Sequence, residues 1–394
     1  MFESAPILPP DAIFGLNELF RNDTNDAKIS LTIGVYKDEN GQTPLMGAVA
    51  DAEQILLDVG ANKSYLPIDG MPAYNEKAGR MVLGSVADSI PWATSQTPGG
   101  TGALRVTGEL LKSAVGVDTI WMSQPTWANH PKIFGRAGFH VKNYAYLDER
   151  GVNLDFESLM GSFDEAKAGQ AILLHAACHN PTGVDLNADQ WKQLLELVSE
   201  RGLIPVFDFA YQGFGSGLEA DAQPLRDYFA GGNREAIICN SFSKNFGLYG
   251  ERVGGITIVS TSEQAKTAMQ SQVKTIIRTM YSNPPTHGGA IVNTILADAT
   301  LQTKWAAELD EMRERISGLR SQFVDTMKQL APEHDFDFIN QQRGMFSYSG
   351  LSKEQAVKLR EEHSIYILNS GRINIAGINA SNRDQICKSI AAVL

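Results

Sequence analysis

Cysteine is scarce in this 394-residue chain. Its three, Cys178, Cys239 and Cys387, leave one over in any pairing scheme, and no Cys-x-x-Cys occurs. Neither a disulfide framework nor a structural zinc site is supported. The seven histidines show no ligand spacing such as H-E-x-x-H, so we expect no metal. Positive charge is also short, 34 Lys plus Arg against 45 Asp plus Glu, for a net charge of −11. That is the wrong sign for general attraction to nucleic acid or an anionic membrane, and an anionic substrate would need a locally basic pocket. No window approaches the roughly 18 apolar residues of a membrane span. The first residues, MFESAPILPPD, lack the basic start and apolar run of a signal peptide. Internal repeats, low-complexity segments and long Pro/Gly/Ser linkers are missing as well. Together these absences point to a soluble protein of a reducing, cytoplasmic compartment.

What is present is a globular balance, 43% hydrophobic and 20% charged residues, with enough apolar surface to overcome chain entropy. The length exceeds one ordinary core of roughly 100 to 200 residues, which suits a large α/β domain with a smaller companion. Strand-length apolar, β-branched runs occur at 119–122, 171–175, 203–209, 236–239 and 255–259, and we read them as buried parallel strands. Helical spacing fills intervals between them, as at 103–113 and 189–201. From Leu301 the residues Trp305, Leu309, Met312, Ile316, Leu319 and Phe323 recur every three or four positions on one long helix. That helix is expected to leave the sheet and begin a second, α+β lobe, with another helix near 353–362.

Four stretches could carry chemistry. Pro98-Gly99-Gly100-Thr101-Gly102 opens a helix whose bare N–H groups suit a phosphate, though a purely structural turn reads the same way. His179-Asn180-Pro181-Thr182-Gly183 follows a strand at the edge where α/β sheets bind ligands; its plain reading is an Asx turn. Asp208 and Tyr211 emerge together from the strand at 204–207, and a carboxylate there is costly unless a cation meets it. Otherwise Asp208 is a helix cap. Lys244 stands just past an apolar strand, with Ser241 three residues before it and Arg252 eight after. An amine becomes a nucleophile at neutral pH when desolvation or nearby positive charge depresses its pKa; otherwise it is an exposed loop lysine. Jointly these groups supply what pyridoxal phosphate requires: an amine for its aldehyde, donors for its phosphate, a carboxylate for its ring nitrogen and donors for its ring oxygen.

In this order and company the motifs resemble class I aminotransferases of pyridoxal phosphate fold type I, in the aspartate and aromatic amino acid subgroup. The resemblance runs from Gly34-Val35-Tyr36-Lys37-Asp38 through Tyr65, 99–105, Trp127, 179–183, 208–213, 241–248 and 281–285 to Ser370-Gly371-Arg372. It implies an α/β fold: a large domain with a mainly parallel central sheet at 46–309, a smaller α+β domain built from both chain ends at 13–45 and 310–394, and an arm at 1–12. It also implies that Lys244 forms the Schiff base and shuttles the proton, that Asp208 pairs the ring nitrogen, and that Tyr211 and Asn180 bind the ring oxygen. Trp127 would lie against the ring. Gly100, Thr101, Ser241 and Arg252 would hold the phosphate, joined by Tyr65 from a partner subunit of a homodimer. His130 and His175 would stand behind Asp208.

For substrate, the resemblance makes Arg372 the fork on the α-carboxylate and Arg278 of the other subunit the grip on a distal carboxylate, with Gly34, Trp127 and Asn180 lining the pocket. Val35, Lys37, Thr43, Thr101 and Asn283 carry the aspartate-branch residue types, whereas Ser64 departs from them. The expected reaction is transamination of L-aspartate with 2-oxoglutarate to oxaloacetate and L-glutamate by way of pyridoxamine phosphate. The alternative is an aromatic amino acid aminotransferase. A lyase in the same fold and a nucleotide-binding module without catalysis remain the competing readings at this point.

Overall fold

Strand-length runs rich in Ile, Val, Leu and Phe that are apolar on both faces have to be covered on both sides, and the computed structural model shows how. It describes residues 2–5 and 12–394, with the side chains of 12–14 excepted. Most of the arm expected at 1–12 therefore lies outside the described residues.

In chain order the strands are β1 (Ile29–Ser30), β2 (Trp92–Pro98), β3 (Thr119–Gln124), β4 (His140–Ala145), β5 (Ala171–His175), β6 (Ile204–Phe209), β7 (Ala236–Ser241), β8 (Val253–Val259), β9 (Phe346–Tyr348), β10 (Ile365–Tyr366) and β11 (Arg372–Asn374). Seven of them form the central sheet in the order β2-β8-β7-β6-β5-β3-β4. All neighbours pair in parallel except where β8 meets β2 and β7. The 255–259 run, expected to be parallel, is thus antiparallel. It follows β7 after only 11 residues, Phe242 to Arg252, too few for the crossover a parallel neighbour needs. β2 and β4 escaped the sequence reading; the exposed His140, Lys142 and Asn143 of β4 show why, since an edge strand lacks the continuous apolar run.

Side chains along β5 alternate between two cores. Ala171 and Leu173 join Leu104, Ile133 and Ile277 on one face, while Ile172 and Leu174 join Leu194, Phe207 and Leu225 on the other. Helices Gly99–Leu110 and Glu263–Met280 cover the first face; helices Ala188–Glu200 and Leu218–Ala230 cover the second.

The helix expected from Leu301 spans Ala299–Leu330, and every residue named for its apolar stripe is buried. The Asp298 carboxylate caps it, accepting from Thr300 and Leu301 N–H. Beyond it, both chain ends meet: β1 pairs with β10, and β11 with β9. The helix at 353–363 starts in a capping box between Ser352 and Gln355. Among the described residues no helix is long and apolar enough to cross a membrane, and no group of His, Cys, Asp or Glu could hold a metal ion.

Candidate active site

Parallel strands with helices on both faces leave a crevice at their carboxyl ends, and β5, β6 and β7 deliver Asn180, Asp208 and Ser241 there. A cavity of about 260 Å³ lies at that edge. Its walls include Gly34, Gly100, Thr101, Trp127, Asn180, Asp208, Tyr211, Ser241, Lys244, Arg252 and Arg372. Its lining holds three cations, Lys244, Arg252 and Arg372, and one acid, Asp208. This is the locally basic pocket that a chain of net charge −11 needs for an anionic ligand.

Asp208 sits near the end of β6, and His130 Nε2 donates to its Oδ2 over 2.9 Å. A helix cap is therefore not its role. Behind it, Thr126 Oγ1 lies 2.8 Å from His130 Nδ1 and 2.9 Å from His175 Nε2. Burial alone would raise the Asp208 carboxyl, but the bond from His130 and nearby charges, Lys244 among them, hold it below the usual carboxylate range. Burial pushes His175 down to about 3, helped by His130, so His175 is neutral at physiological pH.

Burial also brings the Lys244 ammonium down to about 8; Asp208 opposes that shift and Arg252 adds to it. Its Nζ lies 5.2 Å from the centre of the Tyr211 ring. The exposed-loop reading of this lysine fails. An amine so placed is partly unprotonated near neutral pH and able to attack a carbonyl.

The helix after β2 begins at Gly99 rather than at Ala103, so the glycines form its first turn instead of preceding it. Gly99, with φ of 72°, makes the reversal from strand to helix that few other residues adopt. A Cβ on Gly254 would come within 2.6 Å of Asn240 O and 2.8 Å of the Gly99 carbonyl carbon, so glycine there lets the helix start settle on the sheet. Gly100 and Thr101 of that turn, whose first N–H groups have no partner within the helix, line the same cavity as Ser241, Ser243 and Arg252. Ser241 Oγ donates to Ser243 Oγ over 3.1 Å, and Arg252 Nη1 reaches Ser243 Oγ at 3.3 Å. A phosphate fits these donors.

In the same lining Arg372 is buried, with its guanidinium 4.1 Å over the Phe346 ring. Nη2 donates to Thr32 O at 2.5 Å and Nη1 to Asn180 Oδ1 at 3.4 Å, while Nε is buried with no partner among the described residues. An orphaned donor on a buried cation suits an incoming carboxylate. The group set as a whole fits pyridoxal phosphate: amine, carboxylate, phosphate donors and a phenol line one cavity. Tyr249 Oη accepts the Tyr36 N–H at 2.9 Å, and Asn374 Nδ2 donates to Ile33 O and Val35 O. These bonds lay the segment that carries Gly34 across the cleft.

Tyr65 and Arg278 stand apart from this cavity. Tyr65 is 93% exposed, and Arg278 is exposed on the last turn of its helix, donating to Ser282 Oγ at 2.5 Å. Sequence reasoning missed Ser243, Tyr249 and Phe346. Ser243 was findable as a second hydroxyl in Ser241-Phe242-Ser243-Lys244; Phe346 carried no signal, because its role comes from packing on Arg372.

The family model for aminotransferase class I and II matches residues 26–390. The aspartate aminotransferase of Escherichia coli strain K12 is 47% identical to this chain over 397 residues, covering all of both. The aromatic-amino-acid aminotransferase of Pseudomonas aeruginosa is 40% identical, covering 100% of this chain and 98% of that one. Among solved structures, the aromatic-amino-acid aminotransferase from Burkholderia pseudomallei covalently bound to pyridoxal phosphate superposes with a TM-score of 0.97 at 44% identity, covering 100% of this chain and 99% of that one. With a fold, a basic cleft and a half-buried lysine that agree with this likeness along the whole chain, the protein belongs to the class I and II aminotransferases.

Proposed function

We propose that the protein transfers the amino group of L-aspartate to 2-oxoglutarate, giving oxaloacetate and L-glutamate, with pyridoxal phosphate held at Lys244. The observation that carries this is a half-buried lysine and a buried, ionised aspartate lining one cavity with Arg372. Pyridoxal phosphate supplies an aldehyde for the amino group and a ring that withdraws electrons from the substrate α-carbon. Lys244 Nζ carries the proton that leaves that carbon. Asp208, kept ionised by His130, would hold a proton on the ring nitrogen, and Asn180 and Tyr211 would donate toward the ring oxygen. Trp127 would pack against the ring, while Gly100, Thr101, Ser241 and Arg252 would hold the phosphate. Arg372 fixes the α-carboxylate, which aligns the C–H bond for removal and favours transamination over loss of carbon dioxide. Aromatic amino acids form a second substrate class, supported by aromatic relatives at 40 to 44% identity.

We further propose a homodimer in which Tyr65 of one copy joins the phosphate site of the other and Arg278 of one copy grips the distal carboxylate in the other. Both residues are exposed and outside their own chain's cavity. The domain division we propose is an arm at 1–12, a small domain at 13–45 and 310–394, and a large domain at 46–309. The pairing of Ile29 with Ile365 supports joining the chain ends. A cytoplasmic location is proposed from the three buried, unpaired thiols.

The test is kcat/KM for aspartate, glutamate, tyrosine and phenylalanine on the purified protein, with borohydride trapping of the cofactor at Lys244. Efficient aspartate turnover and a tagged Lys244 peptide are expected. A Lys244→Ala protein that still turned over, or an unaltered protein that released carbon dioxide instead of forming oxaloacetate, would overturn the reading.

A further inference from the structure

Behind the cleft lies a second, larger cavity of about 810 Å³, between the helices Ala188–Glu200 and Leu218–Ala230, that shares no lining residue with the first. Two carboxylates, the half-buried Asp185 and the buried Asp221, are in its walls. Each is tied to the backbone of a loop that carries a cleft residue. Asp185 accepts the N–H of Cys178 at 2.7 Å and of His179 at 2.8 Å, immediately before Asn180. Asp221 accepts from Gly213 at 2.8 Å, Gly215 at 3.0 Å and Ser216 at 2.6 Å, just after Tyr211.

From this we infer that Asp185 and Asp221 are positioning residues that set Asn180 and Tyr211 from behind, so that both aim at the same point in the cleft. The inference rests on the aminotransferase reading above.

Three features carry it. Cys178 has φ of 55°, a left-handed conformation that a non-glycine residue holds only when its surroundings impose it. The Asp185 carboxylate does so by taking the two successive N–H groups on separate oxygens. Next, His179 has both ring nitrogens engaged, with Ser123 and Thr182, and lies stacked 4.0 Å from Tyr146. The loop is therefore clamped on either side of the peptide that leads to Asn180. Finally, these carboxylates are kept where ionisation is unfavourable. Burial pushes Asp185 up to about 6 against the pull of the His179 and Cys178 N–H groups, with Asp221 adding to the rise and Arg343 opposing it. Burial likewise raises Asp221, against its N–H donors and Arg313. The Cys178 thiol also faces both acids and the cations Arg320 and Arg343.

Asn180 and Tyr211, donating to an anionic ring oxygen, favour the form of the lysine-bound cofactor with one proton fewer. Loosening either raises the pH midpoint of its colour change. The test compares Asp185→Asn, Asp221→Asn and Asp189→Asn holoenzymes. Asp189 lines the same rear cavity, on the first turn of its helix. An Asn at 185 offers one acceptor for two N–H donors. We expect the midpoint to rise by about one pH unit in the first two variants, a tenfold weakening of the favoured form. kcat/KM should fall by similar factors for aspartate and phenylalanine, because both share the cofactor. Asp189→Asn should match the unaltered protein. If Asp185→Asn does not fold, the double variant Asp185→Asn/Cys178→Gly, which relieves the left-handed strain, takes the same measurement. Folded variants with an unmoved midpoint, or an equal shift in Asp189→Asn, would overturn the positioning role. Borohydride trapping at Lys244 in those variants keeps that failure apart from one of the functional reading.

Discussion

The Asp208 carboxylate receives a hydrogen bond from His130 over 2.9 Å, with both side chains buried, and a second histidine joins them through Thr126. This chain settles the charge state on which the proposed chemistry depends. A buried carboxylate left to itself would take up a proton, and a protonated one cannot stabilise positive charge on a ring nitrogen.

Replacing Asp208 with Asn should therefore keep the shape of the site while lowering kcat by on the order of 10² to 10³. His130→Ala should lower it less, because Asp208 stays charged above its own pKa. Steady-state kinetics on aspartate, with cofactor content checked by absorbance, decides; a fully active Asp208→Asn protein would reject the role.

The depressed Lys244 sets a pH dependence for the protein freed of cofactor. The rate at which that protein captures an aldehyde should climb with pH and level off above about 8, where the amine is deprotonated. Stability carries the matching sign. Unfolding returns this lysine toward its ordinary value of 10.5, so the unfolded chain binds more protons between about 8 and 10.5. The Lys244 contribution to stability thus rises with pH in that window. A capture rate still climbing steeply at pH 10, measured by stopped flow, would show that the lysine is not depressed.

Arg278→Asp should weaken use of aspartate and glutamate at least tenfold more than use of phenylalanine, since only the dicarboxylates need a cation at the distal end. Comparison of kcat/KM across the four amino acids reads this out directly, and equal losses would refute the assignment.

Trp305 is the stability test. It is 1% exposed, stacks on Phe246 with ring centres 4.3 Å apart, and donates its indole N–H to Asn245 O at 2.7 Å, next to Lys244. Trp305→Ala should cost about 3 to 5 kcal/mol in chemical denaturation. It should also slow catalysis, because the lysine loop loses its anchor. A loss under about 1 kcal/mol would mean that the stack contributes little.

Much of the site was legible because its residues lie beside recognisable punctuation: glycines at a helix start, Asn before Pro, Asp at a strand end, Lys between a Ser and an Arg. The long helix was equally plain, since its stripe from Trp305 to Phe323 repeats at the helical period. Strand direction was not legible. β8 and the parallel strands have the same kind of composition, and only the short loop from Phe242 to Arg252 separates them.

The order of motifs along the chain was enough by itself to specify the family, the candidate lysine and the cofactor chemistry, because those depend on which groups are available and on local turns. Only the tertiary structure decided which proton-holding partners stand behind them. The bonds from His130 to Asp208 and from Arg372 to Thr32 join segments brought together by sheet order and by packing of the chain ends. No short-range pattern encodes such meetings, because what selects them is the burial of both partners in one fold.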